Sequence, residues 1–353
     1  MVRILIVDDS AFFRRLLREL LSTEPGYDIV GEAVDGAQGL DMACRLKPDI
    51  ITMDVEMPGM DGIAATRRIM EKCPVPILML SSLTHYGAKS TFDALDAGAM
   101  DFMPKINGSS GGAMAQQLPL LKAKLRLLAG RRAALRHAPP PEAPRVHPSS
   151  AAGAEPRKCE RIISSRGIVL IGASTGGPVA VQQVLQTMPA DFGVPILVLQ
   201  HMPPVFTQAF AERLDRVIPL TVKEAEDGEM PLPGHAYIAP GGVHTQLGWR
   251  NNKPAFVMRE ALAHEHFRPS VDVGFSTAAS VYRSDVLAVV LTGMGNDGVL
   301  GARALKAAGG HVWTQDRESS VIFGMPMEVA KAGLSDAVKS LDDLASCLHS
   351  CLR

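Results

Sequence analysis

Residues 168–178 read IVLIGASTGGP, a stretch that joins an apolar strand to a turn of small residues and to a helix. The β-branched and apolar run breaks at Gly172, and Ser174 is followed by two glycines and a proline, which predicts a strand, a tight turn and a helix. Open parallel sheets bind ligands at the carboxyl ends of their strands, where the next helix begins with free N–H groups. The stretch therefore predicts an α/β fold and makes Ser174 a candidate nucleophile.

The spacing Gly172-x-Ser174-x-Gly176 matches a nucleophile elbow, in which small neighbours let the backbone turn sharply beneath an exposed serine. The same glycine-rich turn could bind a phosphate or only connect a strand to a helix. Taken alone, the spacing favours that simpler interpretation. The rest of the chain has to separate these possibilities.

Length and composition limit the class of protein. A chain of 353 residues can form two domains, and a formal net charge of -1 gives no support to nucleic-acid binding, which needs a clustered basic surface. The five scattered cysteines lack the spacing of a zinc or redox site and fit reduced thiols. The apolar runs are too short for a membrane span, and the first residues carry acids where a signal peptide would not. We therefore expect a cytoplasmic protein with no nucleic-acid partner and no membrane insertion.

The first part of the chain alternates apolar strands with helical segments. A helix is expected over 11–22, with an apolar stripe formed by Phe12, Leu16, Leu17 and Leu20. Strands are predicted over residues 3–8, 29–33, 49–54, 76–82 and 100–105. This alternation predicts a flavodoxin-like, five-stranded parallel sheet.

Polar side chains follow these strands at their carboxyl ends. They are Asp8, Asp9, Asp54, Ser81 and Lys105. Three carboxylates at one edge repel one another unless they share a divalent cation, and hard oxygen ligands suit Mg²⁺. One carboxylate could then attack a phosphoryl group whose charge is neutralised by the metal, the lysine and the hydroxyl. The set predicts a site of phosphoryl transfer.

Residues 1 to about 125 resemble the receiver domain of two-component response regulators. The resemblance rests on the acid pair, an aspartate followed by MPGMDG, a hydroxyl, an aromatic residue and a lysine: Asp8, Asp9, Asp54, Ser81, Phe102 and Lys105. It implies that Asp54 accepts phosphate from a histidine kinase, that the three aspartates hold Mg²⁺, and that the last three residues form the switch. Ile106 departs from the family, which has a cis proline here, and a cis bond before isoleucine is unfavourable, so we expect a trans bond.

A linker separates the two expected domains. Residues 113–136 form a basic segment that fits the last helix of the receiver domain with a solvated face, and residues 138–156 are rich in proline and alanine. The predicted boundaries are 1–128 for the receiver domain, 129–162 for the linker and 163–353 for the second domain.

The second domain returns to α/β patterning. Its predicted strands are 168–174, 194–201, 221–225, 235–240, 254–258, 285–293 and 311–316. The pattern predicts a doubly wound, mostly parallel sheet, although the middle strands could include a hairpin.

A serine nucleophile needs a histidine as base and usually an acid that orients it. His201 ends one predicted strand and Asp297 closely follows another, so both lie at the same sheet edge as Ser174, and no cofactor is required. Further histidines and aspartates near strand ends or in loops are His244, His264, His266, Asp285 and Asp316. Asp285 precedes its strand, at the opposite edge, but spacing alone does not decide between the remaining histidines and aspartates.

The motifs GASTGGP, QHMP, RPSVD and LTGMGNDG resemble the C-terminal domain of the chemotaxis protein-glutamate methylesterases, the CheB family. The resemblance, which covers nearly the whole chain, implies a triad of Ser174, His201 and Asp297. It also implies oxyanion donors near Thr175 and Met294, the latter on resemblance alone. The order serine, histidine, aspartate differs from that of α/β-hydrolases.

The resemblance further implies the activity. The expected reaction is hydrolysis of glutamate methyl esters on methyl-accepting chemoreceptors with release of methanol, and deamidation of receptor glutamines. The receiver domain is expected to cover this site until Asp54 is phosphorylated by the chemotaxis histidine kinase. Arg268 and His266 could position the substrate helix or only pair locally. A competing hypothesis from another class is a phosphorylation-controlled module that binds a nucleotide or a partner at the GASTGG turn without hydrolysis.

Overall fold

The computed structural model of the protein describes residues 1–23, 25–105, 111–132, 162–262, 265–350 and 352. The chain divides into two units, residues 1–152 and 153–353. Ile106 and most of the predicted linker lie outside the described residues, so the peptide bond before Ile106 and the predicted domain boundaries stay predictions. Among the described helices, none combines the length and the apolar character that spanning a bilayer requires.

The first unit contains a parallel sheet with helices in its connections. Its elements are β1 Val2–Val7, α1 Ala11–Ser22, β2 Tyr27–Ala33, α2 Gly36–Leu46, β3 Ile50–Asp54, α3 Gly62–Lys72, β4 Ile77–Ser81, α4 His85–Asp96, β5 Asp101–Pro104 and α5 Gly111–Ala129. The strand order is β2-β1-β3-β4-β5, with all neighbours parallel. The order reverses between β1 and β3, which makes their carboxyl ends the expected ligand site. The predicted five-stranded, flavodoxin-like sheet is confirmed.

Helix α1 differs from the sequence prediction in the face that it buries. The hydroxyl of Ser10 accepts a hydrogen bond from the N–H of Phe13 and caps the helix. The buried side chains are Phe13, Leu17 and Leu21, whereas Phe12 is 70% exposed. Of the predicted stripe, Leu17 is buried and Leu16 and Leu20 are half-buried, so the predicted face is rotated from the buried one by about one residue, or about 100°.

A disulfide joins Cys44 in α2 to Cys73, the residue that ends α3. The Cα atoms lie 5.4 Å apart, within the usual range for a bridge, although the cysteines are separated by 29 positions in sequence. The expectation that all cysteines are reduced thiols therefore differs from the structure. Packing of α2 against α3 brings the two cysteines together, and their spacing in sequence carries no signal of it.

The second unit contains a larger parallel sheet. Its elements are β6 Ile168–Ala173, α6 Gly177–Gln186, β7 Ile196–Gln200, α7 Pro204–Val217, β8 Thr221–Glu224, β9 His235–Ile238, β10 Val243–Arg250, β11 Lys253–Glu260, α8 Val271–Tyr282, β12 Val286–Val290, α9 Val299–Ala307, β13 His311–Gln315, α10 Met325–Lys331, β14 Ala337–Lys339 and α11 Leu341–His349. The sheet has the order β14-β13-β12-β6-β7-β9-β8, with all neighbours parallel. The predicted doubly wound architecture is confirmed.

Strands β10 and β11 form an antiparallel hairpin outside the large sheet. Asn251 and Asn252 make its two-residue turn, both with positive φ angles of 49° and 61°. Asparagine tolerates this left-handed conformation, which suits the hairpin's twist. The strand predicted at 254–258 thus belongs to the hairpin, the possibility that the sequence left open, and β10 is an additional strand.

The chain enters the large sheet at its centre, with β6. It adds β7, β9 and β8 on one side of β6, and later adds β12, β13 and β14 on the other side. The strand order therefore reverses between β6 and β12, and a crevice is expected at their carboxyl ends. Ser174 follows β6 at this point.

Candidate active site and carboxylate cluster

Ser174 lies at the carboxyl end of β6, bonded to strand ends on both sides. Ala173 pairs with Gln200 in the register of β6 and β7, so the next pair along is Ser174 and His201. The N–H of His201 donates to the carbonyl of Ala173 at 3.1 Å, and the N–H of Ser174 donates to the carbonyl of Thr292 at 3.0 Å. The serine and the histidine are thus held at adjacent positions by backbone bonds.

Glycines allow the sharp turn after Ser174. Gly176 has a φ of 75°, the left-handed region that glycine adopts without strain. A Cβ on Gly177 would lie 2.0 Å from the side-chain oxygen of Gln200, so a larger residue would displace that side chain. Helix α6 then begins with Pro178 in its first turn, as the sequence predicted. The stretch folds as a strand, turn and helix.

The imidazole of His201 has one nitrogen engaged and one free for chemistry. Its Nε2 lies 2.7 Å from Oδ2 of Asp297, whereas Nδ1 is buried and has no hydrogen-bond partner among the described residues. The ring of Phe267 stacks on the imidazole, with centroids 4.4 Å apart and planes 9° from parallel. Because the aspartate is an acceptor, Nε2 carries the proton and Nδ1 is the nitrogen that can accept one.

The carboxylate of Asp297, in the loop after β12, faces the N-terminus of α8, where several hydrogen-bond donors point at it. Its carboxylate accepts hydrogen bonds from the hydroxyl of Ser270 at 3.0 Å and from the N–H groups of Val271 and Asp272 at 2.7 and 2.8 Å. Burial alone would raise the pKa of Asp297, but the hydrogen bond and charge of His201 and these N–H groups outweigh it and lower the pKa. The carboxylate therefore remains an anion beside the imidazole.

The peptide between Gly293 and Met294 is fixed close to Ser174. The carbonyl of Gly293 accepts hydrogen bonds from the N–H groups of Gly324 and Met325 at 3.1 and 2.9 Å. In a trans peptide the N–H points opposite to the carbonyl, so the N–H of Met294 points away from these donors. A Cβ on Gly293 would lie 2.9 Å from Cβ of Ser174, so this peptide closely approaches the serine.

The N–H of Thr175 is set in the same manner. It shares its peptide with the carbonyl of Ser174, which accepts hydrogen bonds at 2.8 Å from Nε2 of Gln200 and from the N–H of Gly177. Within the described part of the chain, no acceptor takes the N–H of Thr175 or of Met294. Two N–H groups near the serine are thus available to an oxyanion.

The other histidines lie elsewhere. His244 is fully buried, with Nε2 bonded to Glu265 at 3.0 Å and Nδ1 accepting the N–H of Ser270 at 3.3 Å. His266 is exposed, and His264 lies outside the described residues. The structure therefore brings only His201, of the described histidines, to the end of a strand that neighbours β6.

The competing acids have other hydrogen-bond partners. The carboxylate of Asp316 accepts hydrogen bonds from the N–H and the hydroxyl of Ser319. The backbone carbonyl of Asp285 accepts the N–H of Ile168, at the amino end of β6, which is the opposite edge of the sheet. These contacts leave Asp297 as the acid beside His201.

Arg268, which was expected either to position the substrate helix or to pair locally, makes a local contact. Its guanidinium donates to the carbonyl of Glu265 at 3.2 Å.

Several residues of this site were missed by sequence reasoning. Ser270 precedes an apolar helix and could have been recognised as its N-cap, since serine is a preferred residue there. Gln200 and Phe267 carry no comparable signal, because their contacts depend on how separate strands and loops meet in space.

The first unit brings its predicted polar residues together. One carboxylate oxygen from each of Asp8, Asp9 and Asp54 lies within 4.8 Å of the others, and Nζ of Lys105 is 2.8 Å from the carboxylates of Asp8 and Asp54. Burial raises the pKa of Asp54 to about 6, opposed by the hydrogen bond of Lys105 and reinforced by the charges of Asp8 and Asp9. Three carboxylates converging on one point fit a hard divalent cation such as Mg²⁺.

The two other predicted switch residues are buried. The hydroxyl of Ser81 donates to the carbonyl of Gly87 at 3.1 Å. Phe102 packs edge-on against Phe92, with ring centroids 6.0 Å apart. Their roles in a switch stay predictions.

Comparison with known proteins identifies two sequence families along the chain. A family model described as CheB methylesterase matches residues 169–348, and one described as response regulator receiver domain matches residues 4–110. The first match covers the candidate active site, and the second covers the carboxylate cluster.

Curated relatives match nearly the whole chain. A protein-glutamate methylesterase/protein-glutamine glutaminase of Pseudomonas putida is 46% identical over 97% of both chains. One of Vibrio cholerae is 42% identical over 98% of this chain and 97% of its own. The crystal structure of the Thermotoga maritima CheB methylesterase catalytic domain is 44% identical, covers 52% of this chain and 97% of that chain, and has a TM-score of 0.51. These similarities favour hydrolysis over the binding module that the sequence left open.

Proposed function

This chain belongs to the CheB methylesterase family and carries a response regulator receiver domain, and on that premise we propose that it is the adaptation enzyme of a chemotaxis system. It hydrolyses glutamate methyl esters on methyl-accepting chemoreceptors to glutamate and methanol, and it deamidates receptor glutamines. Phosphorylation of the receiver domain controls the reaction. The observation that carries the proposal is the 2.7 Å bond between His201 and Asp297 at the strand end next to Ser174.

The first half of the reaction forms an acyl-enzyme. Nδ1 of His201 takes the proton of the Ser174 hydroxyl as the oxygen attacks the ester carbonyl. The anionic carboxylate of Asp297 stabilises the imidazolium that results. The N–H groups of Thr175 and Met294 donate to the oxyanion, and one such donor typically accounts for a factor of about 10² to 10³ in rate. The imidazolium then gives its proton to the departing methoxide, which leaves as methanol.

The second half of the reaction uses the same groups. Nδ1 of His201 removes a proton from water, whose oxygen attacks the acyl carbon, and Ser174 leaves with that proton. The product is a free glutamate side chain. With a glutamine substrate the amide nitrogen takes the proton from His201 in the place of methoxide and leaves as ammonia. We expect the esterase domain to need no cofactor for either reaction.

The receiver domain controls the esterase through phosphorylation of Asp54 by the chemotaxis histidine kinase. Receiver domains typically bind Mg²⁺, which would be held here by Asp8, Asp9 and Asp54 and would neutralise charge on the phosphoryl oxygens. The carboxylate of Asp54 attacks the phosphorus of the kinase's phosphohistidine, the P–N bond breaks and the kinase histidine leaves, and Lys105 pairs with the phosphoryl oxygens of the resulting acyl phosphate. We assign the enzyme to the cytoplasm, where the kinase and the receptors' methylated helices would be accessible to it.

Methanol release from methylated receptor membranes tests the proposal. Ser174→Ala should lower the rate at least about a thousandfold, because the nucleophile is lost. Ser346→Ala is the matched control, since this exposed serine in α11 donates only to the carbonyl of Asp342 and should leave the rate unchanged. Methanol release by Ser174→Ala at the unmodified rate would contradict the proposal.

A further inference from the structure

A second buried imidazole lies behind the triad. His244, on β10, has no exposed surface, and its ring joins Glu265 on one side to the N–H of Ser270 on the other. Because the backbone N–H of Ser270 donates to Nδ1 at 3.3 Å, Nδ1 is unprotonated and the ring proton is on Nε2. The mechanism above makes no use of this group.

Glu265 is fixed as the acceptor for that ring proton. Its carboxylate receives two hydrogen bonds from the guanidinium of Arg259, at 2.7 and 3.0 Å, and one from the N–H of Leu262 at 2.7 Å. These donors, Arg259 first, lower the pKa of Glu265 to about 2, so it is an anion at any working pH. Burial lowers the pKa of His244, with Arg259 acting in the same direction against the carboxylates of Glu265 and Asp297. The neutral tautomer with the proton on Nε2 is therefore favoured.

Ser270 connects this imidazole to the triad. It is the N-cap of α8, and its hydroxyl donates to Asp297 at 3.0 Å. The next two N–H groups, of Val271 and Asp272, donate to the same carboxylate. The backbone of Ser270 thus determines where three of the donors to Asp297 are placed, and His244 accepts the N–H at that point.

We propose that His244 is a positioning residue of the esterase. Its neutral Nδ1 holds the backbone of Ser270, and Ser270 in turn keeps Asp297 and His201 correctly placed relative to Ser174. The inference rests on the proposed function and adds a residue to it. The functional chain runs from Arg259 through Glu265, His244 and Ser270 to Asp297. Among the described residues His244 bonds to Glu265 and Ser270 and not to His201, so its effect on catalysis passes through Ser270.

Two substitutions of His244 test the roles of its two ring nitrogens separately. In His244→Asn the side-chain oxygen can occupy the place of Nδ1 and accept the N–H of Ser270, but it cannot reach Glu265. In His244→Gln the amide can donate to Glu265 from the place of Nε2, but no acceptor faces Ser270. The two variants remove the same ring and are comparable in polarity.

The test measures methanol release and thermal unfolding of the full chain for both variants. We expect His244→Gln to lower kcat about 10-fold to 100-fold with little change in KM, because small displacements of catalytic groups have effects of that size. The acid limb of its kcat profile should move to lower pH, since Asp297 supports the imidazolium less well. His244→Asn should keep kcat within about threefold of the original protein. Equal losses in both variants, in proportion to their loss of thermal stability, would overturn the proposal in favour of a structural role.

A measurement on the unsubstituted protein covers the case in which the variants do not fold. Nitrogen NMR of the labelled histidine rings should find His244 as the Nε2–H tautomer between about pH 6 and pH 9. A proton on Nδ1 would exclude the bond from Ser270 and overturn the proposal. If the unsubstituted protein released no methanol, the proposed function itself would fail, whatever the tautomer.

Discussion

Two buried aspartates, Asp54 and Asp297, show how neighbours decide the charge of a carboxyl group. Each lies at the carboxyl edge of a parallel sheet where the strand order reverses, and their exposed fractions are 5% and 4%. Yet burial raises the pKa of Asp54 to about 6, whereas the pKa of Asp297 is lowered. Burial therefore does not explain the difference between their pKa values.

The difference lies in what faces each carboxylate. Asp54 shares its space with Asp8 and Asp9, and only Lys105 offers compensation. Asp297 also faces one like charge, that of Asp272, but it receives a hydroxyl, two backbone N–H groups and an imidazole. An acid whose like-charged neighbours outnumber its one cation is suited to recruit a further cation and accept a phosphoryl group, and an acid whose hydrogen-bond donors outweigh its burial is suited to remain an anion that orients a base.

The strongest way to break this comparison is to neutralise the compensated acid. Asp297→Asn should lower kcat for methanol release about 10³-fold to 10⁴-fold, because an amide cannot support the imidazolium and can favour the wrong tautomer of His201. Asp316→Asn is the matched control, because this acid also follows a strand but its carboxylate accepts hydrogen bonds from Ser319 in its own loop and not from the triad. Loss of less than about tenfold in Asp297→Asn would remove the aspartate from the catalytic set.

Neutralising Asp54, the acid with the raised pKa, should increase the stability of its unit. The ionised form of Asp54 is disfavoured by folding, since its pKa is about 6 in the folded state against 3.8 in the unfolded one. Without divalent cations at pH 8, Asp54→Asn should therefore stabilise the receiver unit by on the order of 2 to 3 kcal/mol.

This gain should shrink as the pH falls through about 6 and vanish below about 4, where the carboxyl group is protonated in both states. Hydrogen exchange of the β3 amides, followed by mass spectrometry in the presence of a chelator, measures it within the full chain. Destabilisation at pH 8 would show that Asp54 is compensated in the folded protein and would end the contrast with Asp297.

A smaller effect on kcat is expected from Phe267, whose ring stacks on the imidazole of His201. Phe267→Leu removes the ring stacked on His201, and an aromatic face favours an adjacent cation by about 0.5 to 1 kcal/mol at exposed sites. We expect kcat to fall about twofold to fivefold, while Phe267→Tyr, which keeps the ring, should retain it. A rate unchanged in both variants would leave the support of the imidazolium to Asp297 alone.

The sequence predicted those parts of both sites that strand ends determine. An apolar run followed by a polar residue locates Asp8, Asp54, Ser174 and His201, because parallel strands present their carboxyl ends at one edge. The choice of Asp297 over Asp316 was open from spacing and came from the resemblance. In the structure Asp297 is the acid bonded to His201, and the N-terminus of α8 supplies donors to it.

Features that depend on contacts between distant segments were not predictable. The bond from Ser270 to His244 spans 26 positions, and the disulfide joins cysteines 29 positions apart. The buried face of α1 was misplaced because adjacent apolar residues, Phe12 and Phe13, compete for the core and only packing decides between them. Local patterns carry no information about such choices.

The coupling of the two sites is the central claim, and methanol release by the full chain before and after a small phosphodonor tests it most directly. The protein is compared with Asp54→Asn, using methylated receptor membranes, acetyl phosphate and Mg²⁺. The account predicts that the phosphodonor raises the rate of the original protein and leaves that of Asp54→Asn at its basal value. An equal rise in both proteins, or none in either, would contradict it.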